Sequence, residues 1–239
     1  MIIIPARLQS TRLDQKVLCE IGNLPMVVLS AKNATKVDEV VVACDDEAIM
    51  QVCKSHHIKC IMTDKNHTSG TDRCAEAARI LGLDSKEIII NLQADEPFIE
   101  DSLLQTLQSL TQNSGAFMNT LAKEISSEEI NDPNLVKVVL NANNEALYFS
   151  RLGIPYWRDR TQKTPKPIYL GHLGIYGFSN ENLQAFCALP KSPLEDIEKL
   201  EQLRALYYGK NIALGIVQTQ SIGIDTQEDL ERAKKRMQI

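Results

Sequence analysis

The chain has 239 residues, 44% hydrophobic and 24% charged, and a formal net charge of −5 at pH 7. This is the composition of an ordinary globular protein with one domain or slightly more, and the acidic balance excludes a nucleic-acid binder, whose phosphate-facing surface must be basic. Any phosphate site is therefore a local basic cluster. The six cysteines, Cys19, Cys44, Cys53, Cys60, Cys74 and Cys187, lie 25, 9, 7, 14 and 113 positions apart, so no C-x-x-C pair exists for zinc and they read as reduced cytoplasmic thiols. No basic segment precedes the apolar start and no apolar stretch approaches about 18 residues, so neither a secretory leader nor a membrane span is expected.

Ile2–Ile4, Val40–Ala43, Ile58–Met62 and Ile88–Leu92 are short runs rich in Ile and Val, with amphipathic helical patterns between them. That alternation predicts βαβ units, a parallel sheet covered on both faces and an α/β fold. Ligands of such sheets bind beyond the carboxyl ends of the strands, which directs attention to Arg7 to Lys16, Asp45 and Asp46, Asp64 to Arg73, and Gln93 to Pro97. After about residue 115 the pattern changes to strands at Ala116–Leu121, Val136–Leu140, Ala146–Arg151 and Tyr169–Phe178, which reads as mixed sheet, with a hairpin over Asn141–Asn144. Pro155 to Pro167 reads as a basic surface loop. A helix over Leu194–Tyr208 closed by Gly209, a strand at Ile212–Val217 and a last helix from about Thr226 complete the chain.

Arg7, Arg12 and Lys16 place three cations within ten residues directly after the first strand. Such a loop can cradle a triphosphate and neutralise charge on a leaving pyrophosphate, or it can be a solvated loop. It contains neither G-x-G-x-x-G nor a P-loop. Asp95, just beyond a strand and before the strand-stopping Pro97, offers hard oxygen suited to Mg²⁺, or else serves as an acid ahead of a helix. Asp225 presents the same choice, between metal ligand and helix cap, because Thr226 and Asp229 have capping-box spacing. Ser69-Gly70-Thr71 either caps a helix or lets a base or ribose approach its backbone. His56, His57 and His67 have no metal or triad spacing, and His56 and His57 read as exposed. On the wheel of the Leu194–Tyr208 helix, Ile197, Leu200, Leu203 and Tyr207 form an apolar stripe into which Glu201 and Arg204 intrude. The two charges either pair with each other or Glu201 faces a polar ligand where subunits meet.

Eight segments in register across essentially the whole chain resemble the 3-deoxy-manno-octulosonate (Kdo) cytidylyltransferases: I-I-P-A-R-x-x-S-T-R-L at 3 to 13, T-S-G-T-D-R at 68 to 73, Q-A-D-E-P at 93 to 97, D-P-N-L-V-K-V-V at 132 to 139, A-L-Y-F-S-R at 146 to 151, H-L-G-I-Y at 172 to 176, P-L-E-D-I-E-K-L-E-Q-L-R at 193 to 204 and I-D-T-Q-E-D-L-E at 224 to 231. The resemblance implies a Rossmann-like α/β/α sandwich of nucleotide-diphospho-sugar transferase type, forming one domain over residues 1–239 with a dimerisation and sugar-binding subregion at about 145–210. It implies a cytoplasmic, Mg²⁺-dependent homodimer that transfers CMP from CTP to Kdo for lipopolysaccharide synthesis, releasing pyrophosphate. Arg7, Ser10, Arg12 and Lys16 would then hold the phosphates, and Ser69, Gly70, Thr71 and Arg73 with Arg7 would surround the cytidine. Asp95 and Asp225 would be the metal ligands, with Arg12 and Lys16 completing the catalytic set. Gln93, Arg158, His172, Tyr176 and Glu201 would hold the sugar.

Two segments depart from the family's usual pattern: Leu13-Asp14-Gln15-Lys16-Val17-Leu18 stands for L-P-G-K-P-L, and Ala94 stands for the Gly of Q-G-D-E-P. The related sialic acid cytidylyltransferases usually carry a Gly-Gly-Ser-Lys-Gly type phosphate loop, absent here.

Overall fold

The structure, a computed structural model, describes residues 1–9, 13, 15–159, 168–219, 221, 223–224 and 227–236. Its first half runs β1 (Ile2–Ala6), β2 (Glu20–Ile21), β3 (Leu24–Pro25), α1 (Met26–Ala34), β4 (Val40–Cys44), α2 (Glu47–Ser55), β5 (Cys60–Met62), α3 (Gly70–Ile80), β6 (Ile88–Asn91) and α4 (Asp101–Asn113). The second runs β7 (Met118–Ile125), β8 (Lys137–Leu140), β9 (Ala146–Ser150), β10 (Tyr169–Ser179), α5 (Asn180–Ala188), α6 (Pro193–Glu198), α7 (Gln202–Tyr207), β11 (Ile212–Val217) and α8 (Gln227–Arg236).

Among the described residues nine strands form one sheet in the order β11-β7-β10-β6-β1-β4-β5, with β8 and β9 attached beside β10. Pairs β6–β1, β1–β4, β4–β5 and β11–β7 are parallel, whereas β10 is antiparallel to β6, β7 and β8. The mixed second half follows from β10, an eleven-residue strand that enters the parallel sheet against its direction. β2 and β3 make a separate small antiparallel hairpin.

Strand periodicity builds the core. Ile2, Ile4, Val40, Val42 and Ile90 pack with α1, α2 and α4 on one face, while Ile3, Ala43, Ile89, Met118 and Phe178 pack with α3, α5 and α7 on the other. Each large apolar side chain so buried contributes about 1.5–3 kcal/mol of transfer free energy. Pro5 lies in a central strand, which is tolerated because β6 pairs only with Ile2 and Ile3. Beyond Ile3 the two strands part and leave an opening at the carboxyl edge of the sheet.

The predicted helix over Leu194–Tyr208 is corrected by the structure to two short helices. Lys199 adopts the left-handed conformation (φ 53°) between α6 and α7. The cause is tertiary: Arg151 Nε donates to the Glu198 carbonyl at 2.7 Å, while the Glu198 carboxylate accepts from Ser150 Oγ and the Arg151 backbone N–H. The carbonyl that would carry the helix onward is taken by the end of β9. The apolar stripe dissolves accordingly, with Ile197 78% exposed and Tyr207 51% exposed, whereas Leu200 and Leu203 are buried. Arg204 pairs with Glu195, not with Glu201. Smaller differences are that β5 begins at Cys60, β7 spans Met118–Ile125, and His56 is half-buried while His57 is exposed. The predicted hairpin is present: β8 and β9 pair antiparallel around Asn144, which takes a positive φ of 58°.

Candidate functional site

Two cavities open at the carboxyl edge of the sheet, where β1 and β6 part. The smaller, of about 160 Å³, lies between Pro5 and Arg7 after β1 and Thr68, Ser69 and Gly70 at the start of α3. Helix α3 begins there because Ser69 Oγ accepts the Asp72 N–H at 3.1 Å and donates to the Asp72 carboxylate at 2.9 Å. Capping and close backbone approach coexist: a Cβ on Gly70 would meet Pro5 Cγ at 3.0 Å and Gln93 Oε1 at 3.4 Å. Arg7 is exposed at the cavity. Arg73 also borders it, but its guanidinium is buried against Thr63 Oγ1 (2.7 Å), the Asp64 carbonyl (3.2 Å) and Asp45 Oδ2 (3.1 Å). Asp45 Oδ1 in turn accepts the Leu8 N–H at 2.9 Å, so Arg73 braces the loop that carries Arg7.

The larger cavity, of about 840 Å³, is bordered by Gln93, Asp95, His172, Tyr176, Glu201 and Gln202, and Gln93 forms part of both walls. His172 and Tyr176 are 9% and 5% exposed with ring centroids 5.6 Å apart. They share a face of β10 although pairing with β7 shifts between them: Leu173 faces Leu121 and Tyr176 faces Thr120, three steps on one strand against one on the other. Thr120 fills the bulge, its hydroxyl lying 2.6 Å from the Ile175 carbonyl and 2.9 Å from His172 Nε2. With the Thr120 proton given to Ile175, Nε2–H of His172 donates to Thr120 and Nδ1 is left as an acceptor. Burial holds the imidazole down to a pKa of about 3, so His172 is neutral at physiological pH. Burial likewise pushes Tyr176 well above the usual phenol value.

Glu201 sits at the break between α6 and α7, and burial raises its pKa against the opposing pull of the Thr71 hydroxyl, which donates to Oε1 at 2.7 Å. The tertiary break at Lys199 thus delivers to the cavity a carboxylate that an unbroken helix would carry on its flank. Gln202 is a cavity residue that the sequence did not single out. Its Oε1 accepts from Tyr176 Oη at 3.1 Å, while its buried Nε2 has no partner among the described residues. An orphaned amide bordering a polar cavity is a donor prepared for a ligand. No periodic or motif signal distinguished it from its neighbours.

Lys16 and Asp95 meet at 2.5 Å, Nζ to Oδ2, across 79 residues of chain. Gln15, which stands where the family usually has Gly, takes the left-handed conformation itself (φ 47°) and so preserves the turn that presents Lys16. The Ile224 N–H donates to the Asp95 carbonyl at 2.9 Å, which ties the chain just before Asp225 to the Asp95 segment. A Cβ on Gly223 would meet Glu96 Oε1 at 2.8 Å, so the Glu96 side chain packs directly on this backbone. Among the described residues no cluster of three His, Cys, Asp or Glu side chains could hold a metal by itself. Ser10, Arg12, Asp225 and Thr226 lie outside the described residues, as does 160–167 of the basic loop. Arg158 is exposed and does not border the larger cavity. No helix among the described residues is long and apolar enough to cross a membrane.

Residues 1–212 match the family model described as cytidylyltransferase. The chain is 60% identical over 236 residues to the 3-deoxy-manno-octulosonate cytidylyltransferase of Helicobacter pylori (strain HPAG1), covering 98% of this chain and 96% of that protein. Its counterpart from Wolinella succinogenes is 53% identical over 240 residues, with 98% of each covered. Among solved structures, CMP:2-keto-3-deoxy-manno-octonic acid synthetase complexed with CTP superposes with a TM-score of 0.91 at 39% identity, covering 99% of this chain and 97% of that one. A 4-diphosphocytidyl-2C-methyl-D-erythritol synthase from Anaerococcus prevotii, at 13% identity and a TM-score of 0.62, shares the fold. By full-length identity and by the family model, the chain belongs to the cytidylyltransferase family.

Proposed function

We propose that this protein transfers CMP from CTP to 3-deoxy-manno-octulosonate, giving CMP-Kdo and pyrophosphate. The observation that carries this reading is the pair of cavities sharing Gln93 as a wall, with Lys16 and Asp95 meeting at the carboxyl edge of the same sheet. The smaller cavity takes the cytidine against Ser69, Gly70 and Arg7, whereas Thr71, wholly buried, does not border it. Lys16, with Ser10 and Arg12, holds the phosphates. In the larger cavity Glu201 accepts from sugar hydroxyls, His172 Nδ1 accepts another, and Tyr176 with the Gln202 amide fixes the opposite side. Arg158, carried on an exposed loop, closes on the sugar carboxylate. The anomeric 2-hydroxyl attacks the α-phosphorus in line, its proton passes to solvent water, and the bond to pyrophosphate breaks; positioning and charge neutralisation supply the rate.

Asp95 offers oxygen only and borders the cavity, which suits a hard divalent cation that takes one or two carboxylates and draws its other ligands from phosphate and water. Asp95 and Asp225 would hold Mg²⁺, and the ion when bound supplies neutralisation of phosphate charge and acidification of the hydroxyl. Lys16 moves its ammonium from Asp95 toward the phosphates when CTP enters.

In a pyrophosphate-release assay with Kdo, CTP is expected to exceed ATP and GTP by at least about tenfold in kcat/KM, since a narrow site made of backbone groups around Ser69 to Arg73 pairs with a pyrimidine edge. Equal rates with ATP would overturn the nucleotide assignment.

The protein works as a homodimer through the 145–210 subregion, where Leu152, Tyr156, Ile197 and Tyr207 expose apolar surface at 76%, 80%, 78% and 51%. Sedimentation equilibrium is expected to give twice the chain mass of 26.7 kDa. A monomer at assay concentration would refute this.

A further inference from the structure

Three hydrogen bonds run in one direction beneath the two cavities. Gln93 Nε2 donates to Asn91 Oδ1 at 3.1 Å, Asn91 Nδ2 donates to Thr71 Oγ1 at 3.0 Å, and Thr71 Oγ1 donates to Glu201 Oε1 at 2.7 Å. Asn91 and the Thr71 side chain are fully buried, and neither borders the larger cavity. The chain joins β6, the first turn of α3 and the junction of α6 with α7.

Its polarity is set from one end. An ionised carboxylate only accepts, and the Thr71 hydroxyl has one proton to give. Once that proton is committed to Glu201, Thr71 must accept from Asn91, which turns the Asn91 amide toward Thr71 and its carbonyl toward Gln93. Gln93 then spends its amide on Asn91 and presents its carbonyl oxygen at the wall between the cavities. The same oxygen faces the space that Gly70 leaves without a Cβ. One charge therefore decides the donor and acceptor pattern of a side chain three bonds away.

Resting on the reading that Gln93 and Glu201 hold the sugar, we propose that Asn91 and the Thr71 hydroxyl are positioning residues that lock these two into a single acceptor unit. Neither Asn91 nor the Thr71 hydroxyl touches the sugar. Their effect is specificity for a hydroxyl-rich acceptor: both ends of the relay present oxygen acceptors, so a substrate must bring donors to both. The nucleotide is held by α3's backbone and the loop after β1, which the relay leaves in place.

The test is steady-state kinetics of pyrophosphate release with CTP and Kdo varied in turn, on Thr71→Val, Thr71→Ser, Asn91→Asp and Glu201→Ala, each checked for native circular dichroism. Thr71→Val removes the hydroxyl at constant shape, and is expected to raise KM for Kdo about tenfold or more while KM for CTP stays within about twofold. Thr71→Ser keeps the relay and is expected to return KM for Kdo to within about threefold of wild type. Asn91→Asp replaces the donor to Thr71 with a carboxylate that competes with Glu201 for its one proton, so it should shift KM for Kdo as Thr71→Val does; it decides the matter if Thr71→Val does not fold. An equal rise in both KM values, or a Thr71→Ser enzyme no better than Thr71→Val, would assign the chain a merely structural role and overturn the proposal. A raised KM for Kdo in Glu201→Ala with no change in Thr71→Val and Asn91→Asp overturns the relay alone. An unaltered KM for Kdo in Glu201→Ala overturns the sugar reading and the relay with it.

Discussion

Asp95→Asn is expected to lower kcat by at least about 10²–10³-fold, the scale of losing a preorganised group that stabilises transition-state charge. The carboxamide keeps the shape of the side chain but gives up the anion that pairs with Lys16 Nζ at 2.5 Å and the oxygen set suited to a hard cation. Stability should change little, because the pair is partly solvated, with side chains 12% and 25% exposed. A melting curve near wild type with turnover all but gone is therefore the expected pattern in the pyrophosphate assay, and raising Mg²⁺ should not restore the rate. Asp225→Asn, at a residue outside the described positions, is expected to behave alike. Turnover of Asp95→Asn within about threefold of wild type would mean that this carboxylate only opens the segment before α4.

Arg204→Met is expected to have the opposite signature, a large loss of stability. Arg204 is 3% exposed and forks onto both Glu195 oxygens, Nε at 2.8 Å and Nη2 at 2.6 Å, with its guanidinium 4.8 Å from the Phe186 ring centroid. That bidentate bond raises Arg204 above its already high usual pKa. Removing the cation leaves Glu195, 8% exposed and committed to the Ser192 capping box, without its partner, at a cost of about 3–5 kcal/mol. Urea unfolding measures it. Pairing Arg204→Met with Glu195→Gln should recover most of the loss, since the penalty belongs to the uncompensated charge and not to the missing attraction. A single-variant loss below about 1 kcal/mol would show that water reaches the pair in solution.

The contrast between these variants marks what the sequence could disclose. Lys16 and Asp95 could be picked out as candidates because each follows a buried strand, whereas His172 and Tyr176 were offered only by the resemblance of their segment. The parallel half of the sheet was legible for a similar reason, since Ile and Val runs flanked by amphipathic stretches have few alternative arrangements. The break at Lys199 was not. No Gly or Pro marks it, and its cause is Arg151, 48 residues earlier, taking a helical carbonyl. The partner of Arg204 was missed with it, because a wheel drawn for one continuous helix puts Glu201, not Glu195, at pairing distance. Asn91 was hidden differently: at the end of an apolar strand it reads as the place where the run stops, and only the fold brings Thr71 and Glu201 to it from 20 and 110 positions away.

The bulge in β10 gives that strand a reading frame. Because β10 gains two residues on β7 between Leu173 and Tyr176, and not one, everything after the bulge keeps the facing that it had before. Removing both extra residues would draw His172 and Tyr176 closer along the same face. Removing one would turn Tyr176 away from the larger cavity toward α4 and invert Phe178 out of the core it shares with Phe186. Length variation in this segment is thus confined to steps of two, a rule imposed by pleat geometry on a stretch that looks like any other Gly-containing strand.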